Sequence, residues 1–169
     1  NTRSIRKQSL SNKRNPIRIH LDFRIDDDEY QCVNPGQQGV WQGYKFTCLE
    51  NDIFNETQKN SLKKTMENVR DYLQSVILVD SLEGEYSIRS YVPNYFNLTN
   101  GPITAKDTDM FLSVFIRTYG ESSTLASAHY ILYESKTYRP IQGAVYVNSR
   151  YLPNEIQDEH STNTKFFYT

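Results

Sequence analysis

The chain has no run of apolar residues approaching the eighteen or so that a membrane-crossing helix needs, so no bilayer span is expected in it. It also lacks an excess of either charge. Nineteen Lys and Arg against twenty Asp and Glu leave a net charge of −1, which gives no bulk field to gather nucleic acid or an anionic membrane. Tyrosine is plentiful at 13 residues, but basic and aromatic residues do not interleave along one strand as a nucleic-acid face demands. No nucleic-acid partner is expected. Catalytic signatures are missing too: there is no HExxH, GxSxG or CxxC, and no glycine loop that would cradle a phosphate. His20, His129 and His160 lie far apart, none with a helical i, i+4 partner. Neither a metal ligand nor a catalytic residue is therefore assigned within the 169 residues.

Cysteine is scarce, with Cys32 and Cys48 alone. Bridged, they close a loop of about 17 residues, worth on the order of 3 kcal/mol in the chain-entropy picture. Unbridged, they are two buried thiols of a cytosolic protein. Two N-glycosylation sequons, Asn55-Glu-Thr57 and Asn97-Leu-Thr99, favour the bridge and the secretory pathway, with Asn55 and Asn97 as acceptors. No methionine or leader opens the sequence, so it is expected to begin at a processing site or at the first ordered residue.

What is present is one domain's worth of chain, 37% apolar and 23% charged, enough to bury a core. It is organised around three apolar runs, 111–118 (FLSVFIRT), 125–134 (LASAHYILYE) and 143–148 (GAVYVN). Each is rich in Val, Ile, Phe and Tyr and bounded by turn-formers, which predicts three strands of one sheet. Upstream, residues 1–16 form a basic extended arm carrying Arg3, Arg6, Lys7, Lys13 and Arg14. Residues 17–23 (IRIHLDF) alternate apolar and polar, a half-buried strand. The acidic run 26–29 has neither the glycine nor the spaced oxygens of a calcium loop and reads as a solvated turn. Residues 44–49 (YKFTCL) and 86–92 offer further strands.

One helix is predicted, over about 58–79. Leu62, Met66, Val69, Leu73 and Val76 make its apolar stripe, and Asn55 or Thr57 caps it. Its start carries a conflict, because Asn55 is also a glycan acceptor. At the other end of the chain, 151–163 is polar and 165–169 (KFFYT) opens an apolar run that stops short, so an element is expected to continue past it.

Laid end to end, the segments resemble the amino-terminal half of the catalytic domain of leishmanolysin-type zinc metallopeptidases, within the metzincin group. The residues that carry the likeness are Ile17-Arg-Ile19, the Cys32 and Cys48 pair, Glu50-Asn-Asp52-Ile53 before the helix, and Asp107-Thr-Asp109 before FLSVF. Thr124-Leu-Ala126-Ser-Ala128 and Arg139-Pro140 with Gly143-Ala-Val145 and Asn148 complete it, so that it covers roughly 17–169. The family's extra cysteine after the TLA strand is replaced here by Ile131.

The resemblance implies an α+β, metzincin-like twisted mixed sheet of about five strands backed by one long helix, cut off before the zinc-binding HExxH helix. Residues 17–169 would be the amino-terminal subdomain. Zinc would be bound by ligands outside this chain, and a glutamate would activate its water. It further implies that Thr124, Leu125, Ala126, Ser127 and Ala128 lie on a rim strand that pairs main chain to main chain with a peptide or protein substrate. The other partner would be the remainder of the chain's own catalytic domain. The expected protein is a secreted or cell-surface endopeptidase. The alternatives are a non-catalytic surface, adhesion or structural relative keeping the fold, and an unrelated secreted binding domain.

Overall fold

A computed structural model describes residues 14–93, 95–98, 100–120 and 122–152. In chain order, the elements are β1 (Asn15–Pro16), β2 (Ile19–Phe23), β3 (Gln38–Trp41), β4 (Tyr44–Thr47), α1 (Glu56–Val76), β5 (Leu78–Val79) and β6 (Glu85–Ser87). They continue as β7 (Tyr91–Val92), β8 (Phe96–Asn97), β9 (Thr104–Lys106), β10 (Met110–Arg117), β11 (Ala126–Tyr133) and β12 (Pro140–Asn148). Single 3-10 turns stand at Glu50–Asp52 and Ser149–Tyr151. The class is α+β.

The principal sheet has four strands in the order β11-β12-β10-β2, not one sheet of five. β2, β10 and β12 are parallel, and β11 runs antiparallel to β12. The three apolar runs do share this sheet. The remaining short strands pair two by two. Residues 44–49 illustrate this. Gln42 and Gly43 both take positive φ (50° and 79°), the two-residue turn whose twist suits a hairpin, so β4 folds back on β3 instead of extending the sheet.

The predicted strand 86–92 is broken in the middle for a visible reason. The buried Gln142 side chain accepts from the Arg89 amide at 2.9 Å and donates to the Arg89 carbonyl at 3.0 Å. A side-chain amide thus takes the place of a neighbouring strand.

α1 begins two residues earlier than predicted and ends three earlier. Asn55 caps it, accepting from the Gln58 amide at 2.9 Å, while Gln58 Oε1 accepts from the Asn55 amide at 3.0 Å. Beyond Val76 the chain is Ile-Leu-Val, and Ile77 is extended (φ −99°, ψ 121°). β-branched residues lose little in a strand, and here β5 pairs antiparallel with β1. The last two residues of the basic arm are therefore tied down, with Asn15 facing Val79 and Pro16 facing Leu78; residues 1–13 lie outside the described set.

Two cores form, one on each face of the sheet. Strand alternation sends Val114, Ile116 and Val147 to the helix face, where they pack with Ile25, Phe54 and Leu62. Phe111, Phe115, Ala144 and Tyr146 go to the other face, under the segments before and after α1. There Cys32 and Cys48 are joined in a disulfide, with Cα atoms 5.6 Å apart, and both are buried beside Trp41 and Phe46.

The acidic run is not a free solvated turn. Asp26 pairs with Lys59, Asp27 with Arg24 and Asp28 with Arg117. The last pair is wholly buried. Arg117 Nε and Nη2 donate to the two Asp28 oxygens at 2.7 and 2.9 Å, and its guanidinium lies 4.6 to 4.9 Å from the Tyr30, Trp41, Phe115 and Tyr146 ring centres. Burial pushes the Asp28 carboxyl up, against the pull of Arg117.

Candidate functional site

The residues singled out from the sequence fall at the start of the sheet's outermost strand. Thr124 and Leu125 precede β11; Ala126, Ser127 and Ala128 open it. β11 is an edge strand, hydrogen-bonded only to β12 among the described residues. Among the described residues it is the strand before the last and the antiparallel one of its sheet.

Register shows which backbone groups are free. The Asn148 amide donates to the Leu125 carbonyl at 2.8 Å, and Ser127 faces Tyr146 while His129 faces Ala144. In an antiparallel pair the bonded residues alternate, so Leu125, Ser127 and His129 point their N–H and C=O groups at β12. Those of Ala126, Ala128 and Tyr130 point outward. A partner strand would meet three outward-facing residues before the register shift at Tyr130 and Leu132. Gly143 makes the pairing close, since a Cβ there would stand 3.1 Å from the His129 carbonyl oxygen.

The approach to the rim is fixed from behind. Asn148, fully buried, donates from Nδ2 to the Thr124 carbonyl at 2.6 Å and accepts from the Arg150 amide on Oδ1 at 3.2 Å. Arg150 reaches on to the Gly120 carbonyl and pairs with Asp52 at 2.8 Å. Asp52 also accepts from Thr118 and Ser149. Burial pushes the Asp52 carboxyl up, but the bonds from Arg150 and the Leu49 amide more than offset it and hold it below the usual carboxylate range. Tyr119 and Ser127 share a hydroxyl hydrogen bond of 2.5 Å. The strand's start is thus held in place by a buried carboxylate-centred network, which sequence reading missed because its members are spread from Asp52 to Arg150.

Two recesses flank the rim. On the helix face, beside α1, lies an apolar one lined by Met66, Leu125, Ala126, Val145, Val147 and Leu152. On the other face, Arg89, Tyr95, His129, Tyr130 and Tyr146 line a second. The His129 ring meets Tyr95 edge to face with centres 5.4 Å apart.

The described residues do not fit a zinc site. No three His, Cys, Asp or Glu side chains converge among them. His20 stacks on Phe111 with ring centres 5.0 Å apart, His129 is on the opposite edge strand, and His160 and residues 165–169 lie outside the described set. No step through a metal follows from this stretch. Of the two sequons, Asn55 is exposed and its cap uses Oδ1, which leaves Nδ2, the atom that bears a glycan, free; Thr57 is not needed as the cap. Asn97 stands in β8, and its sequon partner Thr99 is outside the described residues. No helix among the described residues is long and apolar enough to cross a membrane. No family model matches the chain, and no curated protein does.

Proposed function

We propose that this chain is the substrate-binding half of a secreted or cell-surface zinc endopeptidase of the leishmanolysin-like, metzincin kind, with the zinc ligands supplied from outside the described residues. β11 takes up a peptide or protein substrate in extended form. Its outward-facing Ala126, Ala128 and Tyr130 exchange main-chain hydrogen bonds with that substrate, which joins the sheet as a fifth strand. Thr124 and Leu125 hold the entrance against Asn148. The peptide's side chains would alternate between the recess at Leu125 and Met66 and the one at Tyr95 and His129.

One observation carries the reading. β11 is eight residues long, contains no Asp, Glu, Lys, Arg or Pro, and has no second neighbour among the described residues. Soluble proteins usually blunt such an edge with charge, proline or a cover, since a bare one recruits other chains. A strand kept bare, with small side chains at its start and a buried network behind it, is suited to strand addition.

The test uses the full chain and a library of short extended peptides, compared with Ala128→Pro. Proline there removes an outward N–H and no ladder bond. Peptide capture by the parent and at least about a tenfold loss in the variant, at unchanged Tm, supports the reading; equal capture by both rejects it. The continuing reading frame separates the peptidase from a non-catalytic surface or adhesion relative with the same fold. An HExxH helix shortly after Thr169 is expected, and its absence rules out the peptidase.

A further inference from the structure

The second sequon lands on a strand pair whose register bears on the sugar it would carry. β7 and β8 run antiparallel with Tyr91 opposite Asn97 and Val92 opposite Phe96. The Leu98 amide donates to the Ser90 carbonyl at 2.7 Å, which makes 90 and 98 a bonded pair. By alternation Tyr91 and Asn97 form a non-hydrogen-bonded pair, the kind whose facing side chains stand closest. Phe96 and Leu98 are 1% and 2% exposed and take the inward face, so Asn97 turns outward. Tyr91 turns outward with it and is 58% exposed. Neither the Asn97 amide nor the Tyr91 hydroxyl has a hydrogen-bond partner among the described residues.

We propose that Tyr91 is a platform for an N-linked glycan on Asn97, with the first N-acetylhexosamine lying over its ring. Side chains of such a pair have Cβ atoms about 5 Å apart, so a sugar joined to Asn97 Nδ2 is delivered above the Tyr91 ring. The pyranose offers a face of weakly positive C–H groups, and the aromatic ring offers a negative face. The contact also covers an apolar surface that the folded chain otherwise leaves in water. Asn55 is the internal contrast: it caps α1, so it has no facing strand residue to receive its sugar. The proposal rests on the secretory-pathway reading.

The experiment expresses the full chain in a glycosylating eukaryotic host and measures occupancy at both asparagines by mass spectrometry. Thermal unfolding is then compared for the parent, Tyr91→Ser, Asn97→Gln and the double variant. Tyr91→Ser is expected to lower Tm by roughly 2–4 °C when Asn97 is glycosylated and by less than half of that in the Asn97→Gln background. In the parent, proton NMR should show upfield-shifted resonances of the innermost sugar, which Tyr91→Phe retains and Tyr91→Ser loses. That signal needs no folded Tyr91→Ser protein to be observed. Additive Tm effects, or an unshifted sugar, overturn the proposal. Asn55 occupied with Asn97 bare overturns it alone, whereas neither site occupied overturns the secretory reading with it.

Discussion

The sheet has two edges, and they are built in opposite ways. β2, on one side, is five residues long and flanked by Arg18 and Arg24. Its outward amides are claimed: Gln74 of α1 accepts from the Ile19 amide at 2.8 Å, and the Ile77 carbonyl accepts from the Ile17 amide at 2.9 Å. Asp109, fully buried, fastens the same corner by accepting from the Arg18 amide and guanidinium at 3.0 and 2.9 Å and from the Leu82 amide at 2.6 Å. β11, on the other side, is longer, uncharged and bare among the described residues. On the β2 side charge and hydrogen-bonded cover are both applied; on the β11 side the strand has a register shift at Tyr130 and Leu132 but no charge or proline, and among the described residues no cover. The difference is informative because the defences are inexpensive: one lysine on β11 would supply one. The open edge, opposite one so thoroughly closed, is the feature on which the proposal of strand addition rests.

The contrast can be broken most forcefully inside β11. His129 points its N–H at β12, so His129→Pro removes a ladder bond and should cost about 3 kcal/mol, a Tm drop of roughly 6–12 °C. Its neighbour Ala128→Pro should leave Tm within about 2 °C, since that N–H bonds to nothing in the free chain. Thermal unfolding of the pair tests the register directly, and equal losses would mean the outward and inward residues are misassigned.

Next in size is Asn148→Ala. It frees the Thr124 carbonyl and the Arg150 amide together and should cost about 2 kcal/mol in denaturant unfolding, with weaker peptide capture as the strand's start loosens. At the closed edge, Gln74→Ala should cost about 1 kcal/mol by leaving the Ile19 amide to water, and should not change peptide capture at all.

The smallest effect near neutrality is that of pH. Burial pushes the Asp109 carboxyl up, but the hydrogen bonds from Arg18 and the Leu82 amide outweigh it and leave it below the usual carboxylate range. A depressed folded-state pKa contributes stability that is present above the unfolded value, about 3.9, and lost as pH falls through the folded value. Acid titration of Tm should therefore show a fall starting near pH 4 that Asp109→Asn flattens.

Much of this contrast was legible in the residues. The period-two pattern of 17–23 and the apolar run at 125–134 announced two strands, though not their place at the edges, and the spacing of Leu62, Met66, Val69 and Leu73 announced the helix between them in the chain. What closes the first edge was not legible, because Gln74 and Asp109 act through contacts to residues 55 and 91 positions away. Period-based reading has no access to such separations. The same holds for Asp28 and Arg117, 89 residues apart, whose ion pair draws one carboxylate of an otherwise exposed run into the core. The break at Arg89 escaped as well, because a glutamine side chain does there what a strand was expected to do. Local signals were reliable wherever the partner was a neighbour in the chain.

Amide hydrogen exchange along β11, read residue by residue with and without a captured peptide, addresses the open rim without any substitution. Ser127 and His129 should be protected in both states, while Ala126, Ala128 and Tyr130 exchange freely alone and become protected when the peptide is added. If those three amides are already protected in the free full chain, or stay exposed with peptide bound, β11 is not where this protein receives another strand.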